Sequence, residues 1–105
     1  MTGLEYQKCA MRTANHLDRD KLLLNGVLGL NGESGEVADH LKKHLFQGHD
    51  LDIDHIAYEL GDALWYIAIA AEGIGKTLDE IMEMNVHKLM LRYPEGFSVE
   101  RSRNR

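Results

Sequence analysis

Two acidic pairs govern what this chain can fold into: Glu33-Ser34-Gly35-Glu36 and Glu59-Leu60-Gly61-Asp62. Each lies in a stretch whose apolar residues recur at threes and fours, as in an amphipathic helix. On a helix, residues three apart occupy neighbouring positions of one face. Each segment therefore presents two carboxylates side by side, and packing the two helices together gathers four. Leu28, Leu30 and Val37 surround the first pair, and Ile56, Leu60, Ala63 and Leu64 the second. Four unpaired carboxylates in a partly buried place repel one another and resist desolvation. A hard divalent cation such as Mg²⁺ relieves both costs, because it takes oxygen ligands. The competing reading is solvated charge on two helix surfaces.

The periodicity predicts an all-α chain, a helical bundle of four main helices; its small core and an apolar content beyond what a lone bundle of this size needs predict completion by oligomerisation. A first, weakly amphipathic helix covers residues 4 to 16, with Leu4, Cys9, Met11 and Leu17 as candidate core contacts. Asp18 to Asp20 reads as a turn or N-cap. A long second helix runs from about Lys21 to Gln47, its apolar stripe formed by Leu23, Val27, Leu30, Val37, Leu41 and Leu45. Gly26, Gly29, Gly32 and Gly35 interrupt it, each costing about 1 kcal/mol relative to alanine. They either let neighbouring helices approach closely or kink the helix. After a turn at Gly48-His49-Asp50, a third helix covers about Asp52 to Glu72. Its apolar side is Ile56, Leu60, Ala63, Leu64, Ile67 and Ala71, and Gly73-Ile74-Gly75 ends it. Thr77-Leu78-Asp79-Glu80 is a capping box that starts a fourth helix, which reaches about Leu91. Pro94 is the single proline, and residues 95–105 read as a tail on one domain of 1–105.

The 105 residues suit one small domain with a modest core. One cysteine, Cys9, excludes an internal disulfide and a cysteine-based zinc site, which fits a cytoplasmic setting. No apolar run is long enough to span a membrane, and no basic-then-apolar leader opens the chain. A net charge of −5 disfavours nonspecific nucleic-acid binding. The cations are unevenly placed, with Lys88, Arg92, Arg101, Arg103 and Arg105 gathered near the end.

Glu33-x-x-Glu36 followed by Glu59-x-x-Asp62 resembles the motif of the MazG-like all-α nucleoside triphosphate pyrophosphohydrolases. Leu28-Gly29-Leu30-Asn31-Gly32 before the first pair and Ala63-Leu64-Trp65-Tyr66 after the second are similar to the family's surrounding text. So is Asn85-x-x-Lys88-x-x-x-Arg92-Tyr93-Pro94-Glu95-Gly96-Phe97. The resemblance covers roughly residues 20 to 98. It implies hydrolysis of a nucleoside triphosphate to monophosphate and pyrophosphate, in a nucleotide-pool housecleaning role. It also implies Mg²⁺, for which Mn²⁺ can substitute, on Glu33, Glu36, Glu59 and Asp62, and a homodimer or homotetramer.

The residues suit such chemistry. Water attacking phosphorus builds charge that metal ions stabilise, so no Ser, Cys or His nucleophile is required. A carboxylate of the first pair, Glu33 or Glu36, can take the water's proton. Lys88 and Arg92 are natural phosphate partners, and Asn85 can hydrogen-bond a base or sugar. Tyr66, one turn after Asp62, can border the nucleoside, although core packing is the commoner role of such an aromatic. Lys42 and Lys43 are read as exposed, with a phosphate contact as the alternative. His40, His44, His49 and His55 cluster around the second turn; His40 and His44 have a zinc-compatible spacing, but polar loop-facing roles are favoured.

Other functions compete. Phosphoribosyl-ATP pyrophosphohydrolase shares the fold that the resemblance implies. A helical module that binds a partner protein through an apolar face would show no Mg²⁺ binding. A di-iron carboxylate bundle requires Glu-x-x-His pairs, which are absent here.

Overall fold

The computed structural model describes residues 1–105. Five helices follow one another: α1 (Gly3–Ala14), α2 (Arg19–Gln47), α3 (Ile53–Gly73), α4 (Leu78–Arg92) and α5 (Val99–Arg103). There is no strand, so the expected all-α class with four main helices holds. The short α5 lies within the segment read as a tail.

Side chains set the helix starts by accepting from backbone N–H groups that a first turn leaves unpaired. Lys21 N donates to Asp18 Oδ1 (3.0 Å), His55 N to Asp52 Oδ1 (3.0 Å) and Glu80 N to Thr77 Oγ1 (3.1 Å). The capping box at Thr77 is complete, and a second one, Thr2 with Glu5, opens α1. Gly48 closes α2 in the left-handed conformation, φ 73°, which glycine adopts without a Cβ clash.

The centre of the fold is an antiparallel hairpin of α2 and α3. The 29 residues of α2 run unbroken through all four glycines, giving a rod of about 43 Å at about 1.5 Å per residue. Two of those glycines let the helices close up. A Cβ on Gly26 would lie 2.7 Å from both the Tyr66 carbonyl oxygen and Ala70 Cβ, and one on Gly29 only 2.1 Å from Tyr66 Cε1. Gly32 and Gly35 face open space instead.

This contact sets the register. One turn forward from Gly29 on α2 is Glu33, and one turn back from Tyr66 on α3 is Asp62. The hairpin thus carries the first acidic pair opposite the second.

The core lies at the other end, where α1 crosses α3. Ala10, Ala14, Leu22, Ala68, Ile69, Ala71 and Leu78 form its buried cluster. Gln7 is buried within it. Its Nε2 donates to Glu72 Oε2 (2.8 Å) and the Lys76 carbonyl (3.0 Å), while its Oε1 accepts from Leu78 N (2.7 Å). Trp65 Nε1 donates to Thr13 Oγ1 at 3.0 Å, tying α1 to α3.

The predicted core stripes are partly displaced. On α2 the buried positions are Leu22 and Gly26, with Leu30 and Val37 half-buried, whereas Leu23, Val27, Leu41 and Leu45 are exposed. On α3 Leu60 and Leu64 are exposed, and on α1 Leu4 and Cys9 are. The reason is the glycine contact: it turns the small-residue face of α2 toward α3 and leaves the leucine-rich faces uncovered. Beyond its buried first residue, Leu78, and the half-buried Ile81, α4 is similarly bare, exposing Met82, Met84, Val86, Leu89, Met90 and Leu91.

Candidate active site

The hairpin register brings the acidic residues together as the spacing requires. Glu33, Glu36 and Glu59 each offer a carboxylate oxygen within 4.8 Å of the others. The environments of the carboxylates differ. Glu59 is 6% exposed and Glu33 half-buried, whereas Glu36 and Asp62 face solvent. Glu33 Oε2 and Glu59 Oε2 are buried with no hydrogen-bond partner. An unpartnered buried oxygen on a charged group is costly, so these two atoms are available to a cation that supplies the partner the protein does not.

Electrostatics agree. Burial, then the charges of Glu36, Asp62 and Glu59, push the Glu33 carboxyl above its ordinary value. Asp62, although outside the tightest trio, is thus close enough to act on Glu33.

Two glycines, Gly32 and Gly35, pave the surface beside Glu36 and Glu59. A Cβ on Gly32, Gly35 or Gly61 would meet nothing within 4 Å. Gly32 and Gly35 border a cavity of about 390 Å³ that also touches Glu36, Asp39, His40, Lys43, His55 and Glu59. The glycines leave room for a ligand to approach the metal-type oxygens directly.

Side chains around the cluster are interconnected. His55 Nε2 pairs with Glu59 Oε1, one helical turn away on α3. The His55 ring lies 5.1 Å from that of His40 on α2, centroid to centroid. Lys42 and Lys43 both pair with Asp39, at 3.1 and 3.0 Å, and the two lysines hold the Asp39 carboxyl below its ordinary value. From α1, the Tyr6 hydroxyl donates to the Gly61 carbonyl (3.4 Å). Burial, the Asp62 charge and Cys9 push that phenol up.

The substrate residues expected from the sequence fall in two places. The Tyr66 ring sits at the helix contact against Gly29, one turn from Asp62. Lys88 and Arg92 line a separate groove of about 710 Å³ between α4 and α5, with Ser98, Arg101 and Arg105. Neither cation borders the acidic cavity. Asn85 lies exposed on α4. His40 and His44 do not form a metal pair: His40 Nε2 accepts from Asp52 N (3.3 Å), and His44 Nδ1 is bonded to the His49 carbonyl (2.7 Å).

Sequence reasoning gave Tyr6 no role, read His55 as a polar loop-facing residue, and read Gly32 and Gly35 only as positions of helix approach or kinking. The spacing of His55 four residues before Glu59 was a usable signal. The approach of Tyr6 across more than fifty residues was not.

Residues 24–97 match the family model described as the MazG nucleotide pyrophosphohydrolase domain. The chain is also similar to the Gene 37 protein of Mycobacterium phage L5, 34% identical over 74 residues, which cover 67% of this chain. It spans 65% of that relative's length. No solved structure matches.

Proposed function

The chain belongs to the MazG nucleotide pyrophosphohydrolase family, and from that membership we propose a Mg²⁺-dependent hydrolysis of (deoxy)nucleoside triphosphates to the monophosphate and pyrophosphate. The role is removal of unwanted nucleotides from the pool. The observation that carries the reading is the pair of buried, unpartnered oxygens, Glu33 Oε2 and Glu59 Oε2, facing one acidic cluster.

The residues fit a hard cation. Glu33, Glu36, Glu59 and Asp62 are all-oxygen donors, as Mg²⁺ or Mn²⁺ requires. Bound there, the metal would supply Lewis acidity toward the phosphoryl oxygens. The chain's own groups do the rest. A carboxylate of the first pair that is not fully committed to the metal, Glu33 or Glu36, takes the proton of the attacking water. The open surface over Gly32 and Gly35 admits the phosphates. Tyr66 borders the nucleoside on the α3 side.

Asn85, Lys88 and Arg92 are proposed as base, sugar and phosphate contacts. Since neither cation borders the acidic cavity within one chain, the reading requires them to arrive from a second copy. The uncovered leucines of α2 and α3 and the bare face of α4 support such an assembly. Scattered exposed apolar residues are ordinary, but so many along the helices of one small chain suit an interaction surface.

The test is a panel of standard and modified triphosphates with Mg²⁺, scored for pyrophosphate against phosphate. Pyrophosphate release from at least one nucleotide is expected. Orthophosphate alone, or no turnover of any nucleotide, would contradict the assignment.

A further inference from the structure

Glu59 is the most buried of the four carboxylates, and its side chain has three torsions to fix. Only one protein group meets it: Nε2 of His55 pairs with Oε1. Oε2 has no partner. His55 is about half exposed, so burial does not hold its ring in place. A small clip does. Asp52, the N-cap of α3, accepts from His55 N through Oδ1 (3.0 Å). The same residue's N–H donates to His40 Nε2 (3.3 Å), fixing the His40 ring on α2. That ring then stands 5.1 Å from His55, tilted by 39°. The loop, the end of α2 and the start of α3 thus converge on one imidazole.

The clip leaves His55 poorly suited to be a ligand itself, since its Nε2 is engaged by Glu59 and the tight trio of oxygens contains no histidine. We propose that His55 is a positioning residue, whose N–H holds Glu59 Oε1 and keeps Oε2 free for a divalent cation shared with Glu33 and Glu36. The assignment rests on the metal reading above. It differs from an ordinary exposed ion pair along a helix, which contributes little to stability and nothing to a ligand. Partners that orient a ligating carboxylate typically change metal affinity by about 10–100-fold when removed.

The test is calorimetric titration of the full chain with Mn²⁺, beside the metal-free melting temperature. His55→Ala is expected to weaken Mn²⁺ binding by about tenfold with little change in metal-free melting. His55→Gln, whose amide places a donor where Nε2 stands, should restore most of that loss. If His55→Ala does not fold, His55→Phe keeps a ring without the donor and carries the same expectation. Unchanged affinity without the donor overturns the inference while leaving the metal site standing. A His55→Gln variant as weak as His55→Ala overturns it too. A wild type that binds no Mn²⁺ removes the metal reading and this inference together.

Discussion

Gly29 of α2 and Tyr66 of α3 meet so closely that a Cβ on the glycine would fall 2.1 Å from the tyrosine's Cε1. This contact, with Gly26 beneath the Tyr66 carbonyl, sets the register that aligns the acidic pairs. Added volume here must displace helix against helix or swing the Tyr66 ring aside. Gly26→Ala should destabilise by about 1–3 kcal/mol through overpacking, outweighing the helix-propensity gain of about 1 kcal/mol. Gly29→Ala should cost less, because a ring can rotate where a carbonyl cannot. Urea unfolding checks both. A Gly26→Ala protein as stable as wild type would remove the close approach.

Gly35 is the contrasting case. Its Cβ position is open, so Gly35→Ala should stabilise the metal-free fold by up to about 1 kcal/mol. The added methyl would stand beside Glu36 on the cavity floor, so turnover should fall while the melting temperature rises. A rise in stability with full activity would place the ligand elsewhere.

Protonation of Glu33 gives a pH signature in the metal-free protein. Its folded value lies above its unfolded one, because of burial and the neighbouring Glu36, Asp62 and Glu59. The native state then holds the proton more tightly than the unfolded chain. The stabilisation is full below the unfolded value and is lost as pH rises through the folded value. Melting in a chelator should therefore show wild type and Glu33→Gln nearly equal at about pH 4. The glutamine variant should gain the advantage above Glu33's raised value. A difference that is flat with pH would refute the crowding of charge at Glu33.

The uncovered faces make a further prediction. Light scattering at micromolar concentration should give at least twice the mass of one chain. Aspartate at Leu89 or Met90, both exposed on α4, should shift the population toward monomer if that face is the seam.

The helices and the meeting of Glu33, Glu36 and Glu59 were legible in the sequence. The two pairs, their helices and the capping box at Thr77 follow from local spacing, and local chemistry fixes them. The core was less so. Apolar periodicity assigned Leu23, Val27, Leu41 and Leu45 to the interior, whereas α2 turns Gly26 and Gly29 inward. Periodicity counts apolar side chains and gives glycine no weight, yet here the absence of a side chain is what permits burial. It also cannot distinguish a leucine covered by its own chain from one awaiting another copy. Lys88 and Arg92 illustrate the same gap: their motif was readable, but the direction in which α4 leaves the hairpin was not.

The shared metal cluster is tested most directly by the melting temperature as Mg²⁺ is added. A ligand that binds only the folded state stabilises it with the logarithm of its concentration above its dissociation constant. Wild type should melt progressively higher with Mg²⁺. Glu36→Gln and Asp62→Asn, both exposed and so tolerant of substitution, should start at or above the wild-type metal-free value and lose most of the increment. Equal Mg²⁺ responses in all three proteins would contradict the cluster.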